Sequence, residues 1–183
     1  MSVLKLPSFF KDQSKSYKYE ELIDYFISWT IRCSDLIYEN NGLINKYSKK
    51  ILSKLIFDDE KVLDSKRIKN VQVWKQSDNI DLWIELEIEN DPQKIVLIIE
   101  SKMYSSIRDN QLKKYKTFIE NYYSDRKDYK LNFVLLRPDY EHDYEKDFCY
   151  EQGFLHINIE ELQELLNEGE TGNYLFDEFW FNW

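Results

Sequence analysis

The run from Lys94 to Lys102, KIVLIIESK, constrains the fold most, because it is an apolar stretch of strand length that ends in two charged residues. Alternate side chains of a strand project to opposite faces, so this strand is apolar on both faces and both must be covered. Glu100 and Lys102 share one face at its end. The pattern predicts either a surface ion pair or a functional site at the mouth of a buried strand.

A second carboxylate is expected beside Glu100. Asp81 stands at the start of the preceding strand candidate, and the turn-forming segment Asn90 to Gln93 links the two strands. In an antiparallel pair joined by a short turn, the start of the first strand lies beside the end of the second. Two close carboxylates repel each other unless a cation lies between them, and Mg²⁺ and Mn²⁺ prefer oxygen ligands. This segment therefore predicts a site for Mg²⁺ or Mn²⁺.

The pattern of the Asp81 strand also permits a simpler interpretation. The even-numbered residues from Leu82 to Ile88 are apolar, which predicts that this face packs and that the opposite face meets solvent. Asp81 shares the side of Glu85 and Glu87, so it could be one more surface acid. Sheet twist or a bulge at the strand start can turn a side chain, which keeps the metal-binding interpretation open.

The spacing of these charged residues resembles a known family. Asp81 is followed nineteen positions later by the E-x-K of Glu100 and Lys102, and this arrangement resembles the PD-(D/E)XK nuclease superfamily. The Gln-Leu-x-x-Tyr pattern at residues 111–115 resembles the helix that follows the E-x-K strand in one branch of that superfamily. The resemblance covers roughly residues 19–157. It departs at Asn79-Ile80, where the superfamily pattern has a proline before the first Asp.

The resemblance implies an α/β fold with a mixed α+β sheet. Its restriction-endonuclease-like core would consist of a helix, a three-stranded antiparallel meander, a crossover helix and a further strand, flanked by helices. We expect one such domain over residues 1–183, a length that suits a single core.

The resemblance also implies an activity, the metal-dependent hydrolysis of phosphodiester bonds in nucleic acid, with DNA as the expected substrate and defence or DNA processing as the expected role. Asp81 and Glu100 would bind Mg²⁺ or Mn²⁺, Lys102 would orient or activate the attacking water, and Gln111 would line the site. The alternative is a catalytically silent nuclease-fold protein that binds nucleic acid or another protein.

Many members of this superfamily place an acidic residue of the first helix near the metal. Here the apolar spacing predicts a first helix over Tyr19 to Ile37. Glu20 lies about 100° of helix rotation from the buried stripe, whereas Glu21 points away from it. Glu20 is therefore the candidate third metal ligand, although the helix dipole alone also favours an acid in the first turn.

The remaining elements follow from hydrophobic period and turn signals. Serine and aspartate in an S-x-x-D arrangement predict a helix start at Ser106. The predicted helices are 43–57, 106–123 and 159–166, the predicted strands are 71–76, 81–88, 94–102, 129–136 and 154–158, and residues 139–146 are predicted to form a loop.

The formal net charge of −9 excludes a protein that coats nucleic acid through bulk positive charge. Contact with nucleic acid would need local basic strips, and the candidates are Lys66 with Arg67 and Lys113 with Lys114. The alternative is that these residues belong to solvated faces. Arg137, at the end of a predicted strand, could meet either a phosphate or solvent.

Two cysteines are too few and too far apart for a disulfide framework or a zinc site. The chain shows neither a signal peptide nor an apolar run of membrane length, so we expect a reduced, cytoplasmic protein without a membrane partner. Residues 174–183 form an aromatic tail that must pack on the core or on another chain. A homodimer or a partner subunit at this tail is therefore a further expectation.

Overall fold

The computed structural model describes residues 20–103, 105–108 and 110–182, and for Glu20 it describes the backbone alone. Short 3-10 helices occupy Leu36–Asn41 and Tyr140–Glu145. The other elements, in chain order, are α1 Glu20–Cys33, α2 Leu43–Phe57, β1 Ile68–Ser77, β2 Ile80–Ile88, β3 Lys94–Ser101, α3 Gln111–Tyr122, β4 Tyr129–Arg137, α4 Lys146–Gln152, β5 Leu155–Asn158, α5 Ile159–Glu164 and α6 Tyr174–Asn182.

The strands form one five-stranded mixed sheet in the order β1-β2-β3-β4-β5. The first three strands are an antiparallel meander, and β4 and β5 run parallel to β3. A parallel neighbour requires a crossover connection, which α3 provides between β3 and β4. The predicted α/β fold with a restriction-endonuclease-like core is confirmed.

Both faces of β3 are buried, as its sequence predicts. Ile95, Leu97 and Ile99 pack into a core that contains side chains from α1, α2 and α6. Val96 and Ile98 pack into a second core on the other face, with side chains from α3 and α4. The strand that carries Glu100 is thus fixed from both sides.

The face of β2 that alternation assigned to solvent is instead partly covered. Trp83 is 6% exposed and belongs to the second core. Its Nε1 donates a hydrogen bond of 3.0 Å to the Tyr123 hydroxyl, which itself donates to Glu85. The prediction of a solvent-facing side was therefore wrong at Trp83, because α3 and the residue that follows it lie over this face. Asp81 shares it.

Helix α1 ends at Cys33 rather than at the predicted Ile37. Asp35 explains the early end, since one carboxylate oxygen accepts a hydrogen bond from the Ile37 amide and the other accepts one from the Val71 amide, each at 3.0 Å. The chain therefore turns into the 3-10 helix and is tied to β1. Ile37 is 73% exposed rather than part of the apolar stripe.

Helix α3 begins at Gln111 and not at Ser106. Asn110 precedes it with φ of +59°, in the left-handed region that Asn tolerates better than most residues. Asp109, on which the predicted S-x-x-D start depends, lies outside the described residues. Residues 139–146, predicted as a loop, contain the second 3-10 helix and the first residue of α4.

The aromatic tail forms α6 and packs on the chain's own core. Phe179 stacks on Phe26 of α1 with ring centroids 4.4 Å apart, and Trp180 Nε1 donates a 3.0 Å hydrogen bond to the Thr30 hydroxyl. Tyr174 is 63% exposed. Trp183 lies outside the described residues. Within the part of the chain that the structure describes, no helix combines the length and apolar character needed to span a bilayer.

Candidate active site

The start of β2 and the end of β3 bring two carboxylates together. Leu82 pairs with Ile99 at the open end of the β2–β3 hairpin, and continuing this register by one residue sets Asp81 opposite Glu100. Directly opposed residues of antiparallel strands share a face. Asp81 Oδ2 also accepts a 2.8 Å hydrogen bond from the Ser101 amide. Asp81 is therefore held against the end of β3.

Glu100 is buried, with 2% of its surface exposed, and its two carboxylate oxygens differ in their surroundings. Oε1 accepts hydrogen bonds from Lys102 Nζ and from Gln111 Nε2, the latter at 2.5 Å. Oε2 is buried and accepts no hydrogen bond from the described residues. An unsatisfied buried carboxylate oxygen is unfavourable and is available to bind a cation.

The charges around Glu100 leave a local excess of negative charge. Burial raises the pKa of Glu100 to about 7, and the negative charge of Asp81 acts in the same direction. Lys102 opposes both by stabilising the ionised form. A single ammonium group thus only partly compensates two neighbouring carboxylates.

These observations fit a divalent cation held by Asp81 and Glu100. Mg²⁺ and Mn²⁺ bind carboxylate oxygens and commonly retain several water ligands, so two protein carboxylates suffice. No three His, Cys, Asp or Glu side chains form a metal-binding group among the described residues. The remaining ligands would therefore be oxygens of water, backbone or substrate, or a side chain outside the described set such as that of Glu20.

Lys102 follows β3 directly and is fixed at several points. Its amide donates a 2.9 Å hydrogen bond to the Leu136 carbonyl, and its own carbonyl accepts one of 2.8 Å from Arg137. Its side chain is 12% exposed and its ammonium contacts Glu100. The ammonium is therefore placed beside Glu100, while part of the side chain remains accessible.

Arg137 is fully buried, and this corrects the prediction that it meets a phosphate or solvent. Its guanidinium donates 2.8 Å hydrogen bonds to the carbonyls of Lys102 and Ser105 and forms an ion pair of 2.6 Å with Glu145. These partners come from the loop after β3 and from the second 3-10 helix. Sequence reasoning missed this role because no local pattern shows which distant carbonyls enclose a strand-end arginine.

Gln111 begins α3 and contacts the site. Its amide nitrogen donates to Glu100 and, at 3.0 Å, to the hydroxyl of Tyr115, one helical turn later. Both hydrogens of the amide are therefore used. The Gln-Leu-x-x-Tyr pattern brings these two polar groups together above the end of β3.

The acid of α1 that the structure places near the site is Asp24. It is 2% exposed, and its Oδ1 accepts a 2.6 Å hydrogen bond from the Ser101 hydroxyl. Ser101 thus connects Asp24, through its hydroxyl, to Asp81, through its amide. The side chain of Glu20, the predicted third ligand, lies outside the described residues. Asp24 is one helical turn after Glu20, and its position between Ile23 and Ile27 in the apolar stripe was the signal for it.

The two predicted basic strips lie in different places. Lys113 and Lys114 are exposed on the first turn of α3, close to Gln111. Lys66 and Arg67 precede β1, whose first residue pairs with the last residue of β2. The last residue of β2, Ile88, is seven residues from Asp81, so at about 3.3 Å per residue this end of the sheet is roughly 23 Å from Asp81.

The distant strip is also partly neutralised. Arg67 forms an ion pair of 3.1 Å with Glu89, which follows β2. Its other guanidinium nitrogen lies 4.0 Å from a carboxylate oxygen of Glu39. The structure therefore brings Lys113 and Lys114 toward the carboxylates but not Lys66 and Arg67.

A comparison with models of known protein families matches residues 14–172 to the family described as the PD-(D/E)XK nuclease superfamily. The matched segment is most of the chain and contains Asp81, Glu100, Lys102 and Gln111. Neither the curated proteins nor the solved structures contain a match to this chain.

Proposed function

Because the chain belongs to the PD-(D/E)XK nuclease superfamily, we propose that it is a metal-dependent nuclease that hydrolyses phosphodiester bonds of nucleic acid, with DNA as the expected substrate. The observation that carries the proposal is the environment of Glu100. One oxygen of this buried carboxylate is bound by Lys102 and Gln111, whereas the other accepts no hydrogen bond from the described residues, and Asp81 is close enough to raise the pKa of the Glu100 carboxyl.

In this proposal Asp81 and Glu100 hold Mg²⁺ or Mn²⁺. When bound, the ion would lower the pKa of a coordinated water and stabilise the negative charge that develops on the phosphate oxygens. Ser101 supports Asp81 through its amide, and Asp24 supports Ser101. Asp24 is thus a positioning residue in the place where the sequence suggested Glu20.

Lys102 and Gln111 have complementary roles in this proposal. Lys102 donates a hydrogen bond to the attacking water or to a phosphate oxygen, because its ammonium is held at the carboxylate pair. Gln111 fixes the rotation of the Glu100 carboxyl group, so that Oε2 stays free for the ion. The water oxygen then forms a bond to phosphorus as the bond from phosphorus to the leaving oxygen breaks. The attacking water loses one proton to solvent, and the leaving oxygen takes one proton up from solvent.

The test is cleavage of labelled single-stranded and duplex DNA and RNA with Mg²⁺, with Mn²⁺ and with a chelator. We expect cleavage only with a metal, and a loss of at least about a hundredfold in Asp81→Asn and Lys102→Ala. Glu21→Gln, an exposed change on α1, is the matched control. Circular dichroism must show that each variant is folded. Undiminished cutting by folded Lys102→Ala would overturn the mechanism, and binding without cutting would favour the silent nuclease-fold alternative.

A further inference from the structure

An open pocket of about 260 Å³ lies beside Gln111, between the start of α3 and helix α4. Because the Gln111 amide also donates to Glu100, the pocket adjoins the carboxylate site. Its lining residues are Ile107, Arg108, Asn110, Gln111, Leu112, Lys113, Phe148 and Gln152.

The two charged residues that line this pocket, Arg108 and Lys113, are both basic, whereas the molecule is acidic overall. Arg108 and Lys113 are exposed, and neither has an ion-pair partner among the described residues. Other cations of the chain, such as Lys54 and Arg67, are paired with carboxylates. Against a net charge of −9, two neighbouring unpaired cations form a local site for a phosphate group.

The opposite wall supplies an aromatic ring. Phe148 of α4 is 45% exposed. Contact of a phenyl ring with water is unfavourable, so covering this ring with a ligand would lower the free energy. Nucleobases stack on such rings, and side-chain amides like those of Asn110 and Gln152 bind base edges by hydrogen bonds. The pocket is smaller than the roughly 300 to 1,000 Å³ typical of drug-sized ligands, so it suits one ring system.

We infer that this pocket binds one unpaired nucleotide of the strand that is cut, with its phosphate at Arg108 and Lys113 and its base against Phe148. A base in a duplex is paired and stacked, and it reaches such a ring only after leaving the helix. The inference therefore specifies single-stranded or locally opened nucleic acid as the ligand. That the bound nucleotide lies next to the phosphodiester bond that is cut rests on the proposed nuclease function. That the pocket binds a nucleotide does not depend on this function.

The first test is binding of fluorescent oligonucleotides of about twelve nucleotides, measured by anisotropy with the full chain and a chelator so that nothing is cut. Single-stranded DNA, single-stranded RNA and duplex DNA of one sequence are compared. Phe148→Ala should weaken single-strand binding about tenfold and change duplex binding less than about twofold. Tyr150→Ala is the matched control, because Tyr150 is exposed on the same helix but does not line the pocket.

The second test addresses the phosphate. The double variant Arg108→Gln, Lys113→Gln should flatten the slope of log K against log salt by about 1.4 for a single strand, since each phosphate contact contributes about 0.7. Lys127→Gln is the control, because Lys127 is exposed in the turn between α3 and β4 and does not line the pocket. Its slope should equal that of the wild type.

The inference is overturned if the wild type binds no single strand, if Phe148→Ala behaves like Tyr150→Ala, or if its loss is equal on duplex and single strand. Weaker binding of single-stranded DNA or of single-stranded RNA by Phe148→Ala supports the pocket. The nucleic acid whose binding weakens more is the preferred ligand. If Mg²⁺ and Mn²⁺ give no cleavage but Phe148→Ala loses single-strand binding, the nuclease proposal fails and the pocket stands. If the wild type cuts and the pocket variants bind as it does, the nuclease proposal stands and the pocket fails.

Discussion

Glu100 combines almost complete burial with a neighbouring carboxylate, and its pKa of about 7 has a consequence for stability. In the unfolded chain this carboxyl ionises near the ordinary value of 4.5, so between these two values the folded state holds a proton that the unfolded state has lost. The metal-free protein should therefore lose stability as the pH rises through this window, by on the order of 3 kcal/mol.

Denaturant unfolding in chelator at about pH 5 and about pH 8 measures this effect. Glu100→Gln cannot ionise, so most of the decrease between the two pH values should disappear. Glu120→Gln, at an exposed position of α3, should retain it. Mg²⁺ should also reduce the decrease, because a bound cation favours the ionised carboxyl. The same pH dependence in the wild type and in Glu100→Gln would show that the burial of Glu100 is not its source.

Asp24 contacts the candidate site through Ser101, which in turn supports Asp81, so its removal should weaken metal binding without abolishing it. Asp24→Asn keeps the size of the side chain and removes its charge. Residues that orient a metal ligand typically contribute 10- to 100-fold in affinity, and we expect a loss of about tenfold for Mn²⁺. Calorimetric titration measures it, with Glu21→Gln as control. Equal Mn²⁺ affinities for Asp24→Asn and the wild type would leave Asp24 a purely structural role.

Single residues differed in how well the sequence revealed them. Asp81, Glu100, Lys102 and Gln111 were selected because strand ends and motif spacing mark them, and the structure places all four together. Asp24 was missed, although its position inside an apolar stripe marks it, because the serine hydroxyl that donates to it is 77 residues away in the sequence.

At the scale of elements, the connection from β3 to α3 depends on Arg137. Arg137→Met would leave two carbonyls and the Glu145 carboxylate without their buried donor. Breaking a buried ion pair by removing one partner typically costs about 3–5 kcal/mol, and we expect a loss of this size. Urea unfolding measures it, with Arg126→Met as an exposed control. A decrease below about 1 kcal/mol in the free energy of unfolding would mean that the loop between β3 and α3 does not depend on Arg137.

The predicted element boundaries are correct where hydrophobic periodicity decides them. They are wrong where side chains or backbone conformation end or start the helix. Helix α2 has the predicted bounds because its apolar period continues to Phe57. Helix α1 stops early because Asp35 captures two amides, one of them from β1. The start of α3 depends on Asn110 adopting a left-handed conformation, which no periodicity indicates.

At the scale of the whole molecule, α6 closes the core over α1. Trp180 is 1% exposed, and its truncation should leave a large cavity and an unpaired Thr30 hydroxyl. Trp180→Ala should therefore cost about 3–5 kcal/mol in the free energy of unfolding. Tyr174→Ala, at the exposed start of the same helix, should cost less than about 0.5 kcal/mol. Similar losses in both variants would mean that α6 contributes as a surface helix.

The packing of α6 on α1 also affects how the chain folds during its synthesis. Thr30 and Trp180 are 150 residues apart, and ribosomes add about 5–20 residues per second, so roughly 8 to 30 s separate their synthesis. For that interval the nascent chain lacks one wall of its larger core, and the part of α1 around Phe26 and Thr30 that α6 covers stays exposed. A chain built in this way completes its hydrophobic core only when residues 176–180 have left the ribosome.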